Sequence, residues 1–501
     1  MHQQTKWSQF GVLISVFFFW GFVAASNDIL IPVFKEKLNL QQWQSQMISF
    51  AFYVAYTIGS LIYYAISKVS GGDILNRLGY KNGIALGLGI SALGTLLFYP
   101  AAQTASFGLM ISGLFIVGLG FSLQQTAANP LAIVMGDPRT GSQRLSMAGG
   151  VNNLGTTIGP ILVSLAIFGA VTGDASKVAD ISEIKTPYLI LGAVFLIVAV
   201  IFKISSVPNK INLEGDADKK ERDISRVSTP TDIPDALVIP TKGNALNYAQ
   251  LVLGMIGIFV YVGVEVSTAS NLPQFMKEHV KLADGRAFPT ERIAPFVSLF
   301  WASLMMGRWT NSVGAFNVSA TAKSILRFIM PYLAFGIFLL INKIAHHDIT
   351  PFYLYAAIIV VLIIGDLLSR GNPARQLLLF SMLGITALII GMLADGMVSV
   401  YAFTSVGLFC STLWPCIFTL AIAGLGKHTN EGASFLIMMI MGGGFISLLQ
   451  GYLGGPNVIG IQLSYVVGVA CFLYLVFYAV RAKSILKAQG IDYDVKTSAG
   501  H

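Results

Sequence analysis

Apolar segments of about 18–25 residues recur along the whole chain and are separated by short polar loops. As helices, segments of this length match the thickness of a bilayer, whereas membrane-spanning strands need only about 10 residues of alternating polarity. Of the 501 residues, 54% are hydrophobic and 11% are charged, compared with roughly 25% charged residues in soluble proteins. The chain is therefore predicted to be an all-α integral membrane protein, dissolved in the lipid bilayer.

Fourteen segments are candidate membrane spans, which gives an even number of crossings. They lie at about 9–33, 44–66, 81–101, 106–128, 145–170, 187–206, 246–276, 293–313, 324–342, 351–368, 375–394, 398–424, 433–453 and 460–480. Charged residues and prolines cluster in 207–245, which predicts a cytoplasmic linker. We therefore expect an N-terminal six-helix bundle at 1–206, a C-terminal bundle at 246–485 and a cytoplasmic tail at 486–501.

The loop charges predict the orientation of the chain. If the N-terminus is cytoplasmic, most of the 32 Lys and Arg residues fall in cytoplasmic segments, as the positive-inside rule requires. Both termini are then expected to be cytoplasmic. The net charge of +8 is scattered over short loops and does not form the basic face of a nucleic-acid-binding protein, so no nucleic-acid partner is expected.

Two carboxylates lie inside predicted spans, namely Asp28 in the run 10–34 and Glu265 in the run 251–275. An acid at such a position costs several kcal/mol unless it faces partners, water or a ligand, so each is a candidate functional residue. A satisfied buried acid is the alternative for Asp28. For Glu265 the alternative is pairing with a basic residue, but no Lys or Arg is predicted deep within a span. Both acids are candidates for proton coupling.

The two halves of the sequence resemble each other weakly. The first span ends near Pro32 and the seventh ends near Pro273, and prolines or glycine runs interrupt later spans at Asn129-Pro130, Trp414-Pro415 and Gly442-Gly443-Gly444. Repeated halves with such interruptions are typical of secondary transporters, whose substrate binds near the midplane between the halves.

The loop Gly72-Asp73-Ile74-Leu75-Asn76-Arg77-Leu78-Gly79-Tyr80-Lys81 resembles the signature loop of the major facilitator superfamily. The corresponding motif residues are Gly72, Arg77, Gly79 and Lys81. That family usually has an acid where this chain has Asn76. The resemblance gives Arg308 an equivalent cytoplasmic-loop role in the second half. A positive-inside anchor is the alternative that we favour slightly for Arg308.

Longer motifs resemble the fucose permease group, the fucose–galactose–hexose proton symporters. They are Asn27-Asp28-Ile29-Leu30-Ile31-Pro32, Gln125-Thr126-Ala127-Ala128-Asn129-Pro130, Gly149-Gly150-Val151-Asn152, Tyr261-Val262-Gly263-Val264-Glu265 and the segment from Pro415 to Gly444. The resemblance covers nearly the whole chain except about 317–372. It implies a two-bundle fold with twelve core helices, monosaccharide–proton symport by alternating access, proton coupling at Asp28, and a bacterial inner-membrane location.

Amides and aromatic rings are the expected sugar-binding groups. Gln125 cannot titrate where the fucose permease has an acid, but it can still hydrogen-bond hydroxyls. Interhelical hydrogen bonds, worth only about 0.6 kcal/mol each in membranes, are the alternative role for these amides. Trp301 and Trp414 offer apolar ring faces to a sugar. The expected substrate-binding residues are Asn27, Asp28, Gln125, Asn129, Asn152, Glu265, Asn271, Trp301 and Trp414.

Two spans exceed the family's twelve and predict a helical hairpin inserted at about 320–372 in the C-terminal bundle. We expect it to pack at the periphery, away from the sugar path, with a local ion pair between Asp366 and Arg370. The chain is expected to be a monomer without a cofactor or a bound metal. Sodium coupling, proton-driven drug export and a sugar sensor that does not transport remain alternatives from sequence.

Overall fold

The computed structural model describes residues 5–37, 42–168, 185–210, 243–281, 288–289, 292–455 and 457–494; the side chains of 24–49, 138, 160–168 and 186–187 lie outside that description. The described residues form an all-α fold. Its α-helices are α1 Trp7–Lys37, α2 Gln42–Val69, α3 Ile74–Leu78, α4 Tyr80–Leu96, α5 Phe98–Gln103, α6 Phe107–Val134, α7 Gly141–Phe168, α8 Lys185–Ile204, α9 Ala249–His279, α10 Ala294–Ser312, α11 Ala320–Ile344, α12 Tyr355–Ser369, α13 Pro373–Leu393, α14 Gly396–Cys410, α15 Leu413–Ile422, α16 Thr429–Met438, α17 Gly442–Leu453 and α18 Val466–Ala488.

Ten helical segments among the described residues are long and apolar enough to cross a membrane. The predicted spans at 9–33 and 187–206 correspond to shorter described apolar helices, Trp7–Val23 and Tyr188–Ile204. The predicted spans at 145–170 and 293–313 fall on α7 and α10, which are helical but are not among the ten. The all-helical membrane fold is confirmed, whereas the count of fourteen spans stays a prediction.

The predicted interruptions differ in their local structure. Helix α6 runs without a break through Pro130. By contrast, the chain breaks between α14 and α15, just before Trp414-Pro415, and a single turn of 3-10 helix at Met439–Met441 precedes the glycines of α17. Proline removes a helical hydrogen bond and favours such breaks without forcing them, so the sequence pattern alone does not distinguish the three sites.

Helices α1 and α7 pack on each other more extensively than any other pair of described helices. A Cβ atom on Gly21 would overlap the backbone carbonyl of Asn152, and one on Gly155 would overlap that of Phe18. Because glycine has no Cβ, the two backbones come into direct contact, as small residues allow between membrane helices. The same kind of contact joins α9 and α17, where Gly442 lies against the backbone of Phe259.

The helices before residue 210 and those after residue 243 meet along two seams. Helix α7 packs against α10, and α16 packs against α2 and α6. At one end of the molecule, Trp7 stacks on Phe316 with ring centroids 5.0 Å apart, and the Asn311 amide donates a 2.6 Å hydrogen bond to the Ser146 hydroxyl. Side-chain contacts therefore join the two halves at that end.

Helices α11 and α12 pack against α10, α13 and α14, and most residues of α11 are not buried. The Tyr355 hydroxyl lies 2.7 Å from that of Ser303 and is wholly buried, so α12 is anchored to α10. Asp366 forms an ion pair with Arg327, at 3.2 Å. The predicted partner Arg370 is wrong, because it ends α12 in a left-handed conformation (φ 51°) and is exposed.

Candidate functional site

A cavity of about 220 Å³ lies between the two halves. Helices α1, α2, α6 and α7 form one wall, and α9, α10 and α15 form the other. Five of the predicted substrate-binding residues line it together, namely Gln125, Asn129, Asn152, Glu265 and Trp414. Positions up to about 290 residues apart in sequence thus converge on one small polar chamber.

Three amides shape the wall that precedes residue 210. Gln125 donates a 3.0 Å hydrogen bond from Nε2 to the Tyr56 hydroxyl, and Asn152 donates from Nδ2 to the Phe17 carbonyl at 2.9 Å. Asn129 is buried, and its Nδ2 has no hydrogen-bond partner among the described residues. A buried donor without a partner costs about 1–3 kcal/mol, so Asn129 is prepared to donate to a ligand or to water.

Trp20 completes this wall and is fixed from behind. Its indole Nε1 donates a 2.6 Å hydrogen bond to Oε1 of Gln124, whose amide nitrogen donates to the Ser91 hydroxyl at 3.0 Å. All three side chains are buried. Because the polar edge of the indole is satisfied on the far side, its ring is held at the cavity surface, where it offers a flat apolar face.

The opposite wall carries the acid and a second indole. Glu265 is half-buried, and its Oε2 has no hydrogen-bond partner among the described residues. Tyr261 lies one turn earlier on α9, and its ring centroid is 6.2 Å from that of Trp414. The chamber therefore offers an unpartnered acceptor on α9 facing the half that holds the unpartnered donor on α6.

Arg308 lies in this cavity and not in a cytoplasmic loop. Its guanidinium donates to the Ser411 carbonyl at 3.0 Å, to Asn153 Oδ1 at 2.7 Å, and to the Gly149 carbonyl and Tyr261 hydroxyl at 3.4 Å each. The predicted loop or anchor role of Arg308 is wrong, because α10 carries it inward to a site where backbone carbonyls satisfy its charge. The observed position of Arg308, in the lining of the same cavity as Glu265, also corrects the expectation that no basic residue lies deep within a span near Glu265.

Four predicted site residues are not placed at the cavity. Asn271 donates from Nδ2 to the Ser267 carbonyl on its own helix, at 2.8 Å. Trp301 packs edge-on against the ring of its neighbour Phe300, 5.5 Å away, and does not line the cavity. Asn27 and Asp28 belong to helix α1, but their side chains lie outside the described residues. Their predicted roles therefore stay predictions.

The loop that resembles the superfamily signature forms a tight turn. Asp73 caps α3 by accepting from the Leu75 amide at 2.8 Å, and Gly79 has φ 88°, a conformation that glycine adopts readily. Lys81 donates to the Ser205 carbonyl at 3.1 Å, whereas Arg77 is exposed beside Gly72. The loop is thus fastened by hydrogen bonds between the charged side chains of Asp73 and Lys81 and backbone groups.

Sequence reasoning missed three residues at or behind the site: Tyr56, Trp20 and Asn153. The first two resemble the many other aromatic residues in this chain, so no residue type distinguished them. Asn153 follows Asn152 directly, and the pair of amides within an apolar segment was a signal for both. Only the geometry separates their roles, because Asn153 turns towards Arg308 across the seam.

Comparison with known proteins gives consistent relationships. The sequence model of the Major Facilitator Superfamily matches residues 10–449. The chain is 32% identical over 469 residues to the glucose/galactose transporter of Brucella abortus, covering 93% of this chain and 92% of the relative. It is 25% identical over 457 residues to the L-fucose-proton symporter of Escherichia coli, covering 88% and 86% of the two chains.

A solved structure also resembles this fold. The crystal structure of the transporter FucP in the outward conformation matches with a TM-score of 0.68 and 24% sequence identity, covering 94% of this chain and 98% of FucP. At that identity, the likeness concerns the arrangement of the helices.

Proposed function

Because this chain belongs to the major facilitator superfamily, we propose that it is a secondary transporter that takes up a monosaccharide together with protons by alternating access. The observation that carries the proposal is the polar chamber between the halves, with an unpartnered donor on Asn129 and an unpartnered acceptor on Glu265. A sugar hydroxyl both donates and accepts, so one polyhydroxylated ligand can satisfy both groups. The names of the relatives support a hexose or deoxyhexose such as glucose, galactose or fucose.

The charge arrangement supports a neutral cargo. Arg308 is the cationic side chain among the described residues that line the chamber, and it directs four hydrogen bonds to protein oxygens. A guanidinium has only five N–H donors, so little of its capacity is left for an anionic ligand. Uronates and sugar phosphates are therefore poorer candidates than uncharged sugars.

Asp28 and Glu265 are the proposed proton-coupling residues. Gln125 carries no titratable group, and its amide is held by Tyr56, so proton loading is assigned to the two carboxyls. Coupling is then a binding free energy shared between proton and sugar, in which each ligand favours binding of the other. Sodium is the alternative coupling ion, and the experiment below distinguishes the two.

We further propose twelve core membrane helices plus a peripheral hairpin formed by α11 and α12, which gives fourteen spans. The low burial of α11, and the absence of both hairpin helices from the described cavity lining, support this arrangement. Residues 1–206 and 246–485 are the two proposed bundles, joined by a cytoplasmic linker. The chain is proposed to act as a monomer in a bacterial inner membrane, with both termini cytoplasmic.

Uptake by purified protein in liposomes tests the function. Radiolabelled D-glucose should accumulate against its gradient when the outside is acidic in sodium-free buffer, and unlabelled glucose, galactose or fucose should compete. Asp28→Asn should abolish accumulation and retain sugar exchange. Accumulation by Asp28→Asn would refute its coupling role. Uptake that depends on sodium would make sodium, and not the proton, the coupling ion. Efflux of hydrophobic cations without sugar uptake would refute the sugar function.

A further inference from the structure

Arg308 is the only described side chain of the cavity lining that binds both halves through a charged group. On its own half it donates to the Ser411 carbonyl and the Tyr261 hydroxyl, and across the seam it donates to Asn153 and the Gly149 carbonyl. The shortest of these contacts, 2.7 Å to Asn153 Oδ1, is also one of those that cross between the halves. Charge-assisted hydrogen bonds of this kind are stronger than neutral ones.

Alternating access requires α7 and α10 to separate where they now touch. That movement breaks the bonds of Arg308 to Asn153 and Gly149 but leaves those to Ser411 and Tyr261 intact, because these stay with the moving half. The guanidinium then has donors without a protein partner, which favours a replacement acceptor on its own half.

Glu265 is the acidic partner within reach on that half. Glu265 and Arg308 both line the chamber, and Tyr261, one turn before Glu265 on α9, accepts from the Arg308 guanidinium at 3.4 Å. In the structure, however, Glu265 makes no ion pair with any described residue, and its Oε2 is unsatisfied. An unpaired buried carboxylate is unfavourable, whereas one that faces a free guanidinium is stabilised in its charged form.

We propose that Arg308 is a positioning residue that links the protonation of Glu265 to contact between the halves, with Asn153 as the group that holds it. When α7 touches α10, Asn153 retains the guanidinium and Glu265 keeps its proton. When the helices separate, Arg308 turns to Glu265, which releases its proton to water and becomes the carboxylate of an ion pair. This inference rests on the proposed function and adds a second coupling step in the half after residue 243.

The other titratable groups around Glu265 cannot substitute for Arg308. From its own helix Glu265 is faced by Tyr261, from α10 by Arg308, and from α14 by Cys410, with Cys471 of α18 behind that thiol. The tyrosine and cysteines are neutral or negative, so none stabilises a carboxylate by charge. Asp28 belongs to α1, in the half before residue 210. When the halves separate, it moves with α7 and away from Arg308.

The test is the pH dependence of sodium-free D-glucose uptake by the full-length protein in liposomes. Asn153→Ala frees Arg308 before the halves separate, so the midpoint of the pH profile should move towards acid by about one pH unit. Asn311→Ala is the matched control, because it removes another amide hydrogen bond across the same seam, to Ser146, without facing Glu265. An equal shift in both variants, or no shift in Asn153→Ala, would overturn the proposal.

A second measurement does not depend on transport. In detergent, the infrared band of the protonated Glu265 carboxyl, identified by its loss in Glu265→Gln, should disappear at lower pH in Asn153→Ala or Asn153→Ser than in the unaltered protein and Asn311→Ala. If the band shifts but no sugar is taken up, the proposed function fails and this linkage stands. If sugar is accumulated and the band does not shift, the linkage alone is wrong.

Discussion

The hydroxyl of Tyr80 donates a 2.7 Å hydrogen bond to Oδ1 of Asn430, on the other side of the seam. The same amide donates from Nδ2 to Oδ1 of Asn76 at 3.0 Å. Tyr80 and Asn76 belong to the signature-like loop, and Asn430 lies in the first turn of α16. A neutral clamp therefore joins the halves at the position where the family usually has an acid.

Loss of this clamp should make separation of the halves easier at that end. Asn430→Ala removes two hydrogen bonds, which contribute roughly 1–2 kcal/mol together, or about a five- to thirty-fold change in the equilibrium. Distances between spin labels on the two halves should show the separated form more populated. Asn82→Ala is the control, because the Asn82 side chain donates to the Leu78 carbonyl on the same side of the seam; an equal effect there would contradict the clamp.

Asn129 should affect binding without supporting the fold. Because its Nδ2 has no described partner, Asn129→Leu should leave the melting temperature unchanged or raised, yet weaken glucose binding by about tenfold, the effect of roughly 1.4 kcal/mol. Thermal unfolding and equilibrium binding in detergent measure the two effects. Gln124→Leu provides the contrast, since it breaks satisfied bonds to Trp20 and Ser91 and should lower the melting temperature. A destabilised Asn129→Leu with normal binding would refute the assignment.

The ion pair of the α11–α12 hairpin should behave as a buried pair. Arg327→Leu leaves Asp366, whose side chain is 2% exposed, with only the 3.3 Å hydrogen bond from Gln376, so unfolding should become about 3–5 kcal/mol more favourable. Adding Asp366→Leu should recover most of the loss, because two apolar side chains need no partner. Glucose affinity should not change in either variant. A change in sugar preference would contradict the peripheral position of the hairpin.

The contribution of Asp73 to stability should fall as pH rises, which is opposite to the usual behaviour of a carboxyl group in a folded protein. Burial raises the pKa of its carboxyl above the usual 3.8, against the hydrogen bonds from Tyr63 and the Leu75 amide. In the window between the unfolded and folded pKa, the folded state binds more protons, so this group's contribution to stability falls as pH rises from about 4. Asp73→Asn should therefore gain melting temperature relative to the unaltered protein at neutral pH, but not at pH 4. The reverse order would contradict this sign.

The class of fold and much of the chamber were predictable because both follow from local chemistry. Long apolar runs determine membrane helices, and amides or acids such as Gln125, Asn129 and Glu265 are rare enough within such runs to mark the polar interior. Arg308 was misplaced because the sequence gives only its distance from a helix end. Its depth depends on the carbonyls of Ser411 and Gly149, which belong to distant segments.

Contacts between segments distant in sequence were the least predictable features. Asp366 pairs with Arg327, 39 positions away, and not with Arg370, because the left-handed end of α12 turns Arg370 outward. Likewise, Trp301 and Trp414 are alike in sequence context, but only the latter lines the chamber. The rotation of a helix about its axis decides which side chains face the chamber. In nearly uniformly apolar helices the sequence has no polar stripe from which this rotation could be predicted.

The glycine contacts between α1 and α7 have a mechanical consequence. With backbone against backbone at Gly21 and Gly155, no flexible side chain can absorb a displacement of one helix relative to the other. We therefore expect the two helices to move as one unit, with Asp28 on α1 and Asn153 on α7. A tilt of α1 at Asp28 should then move Asn153 and its contact with Arg308 as well, and a bulky residue at either glycine should weaken this link even with every polar group in place.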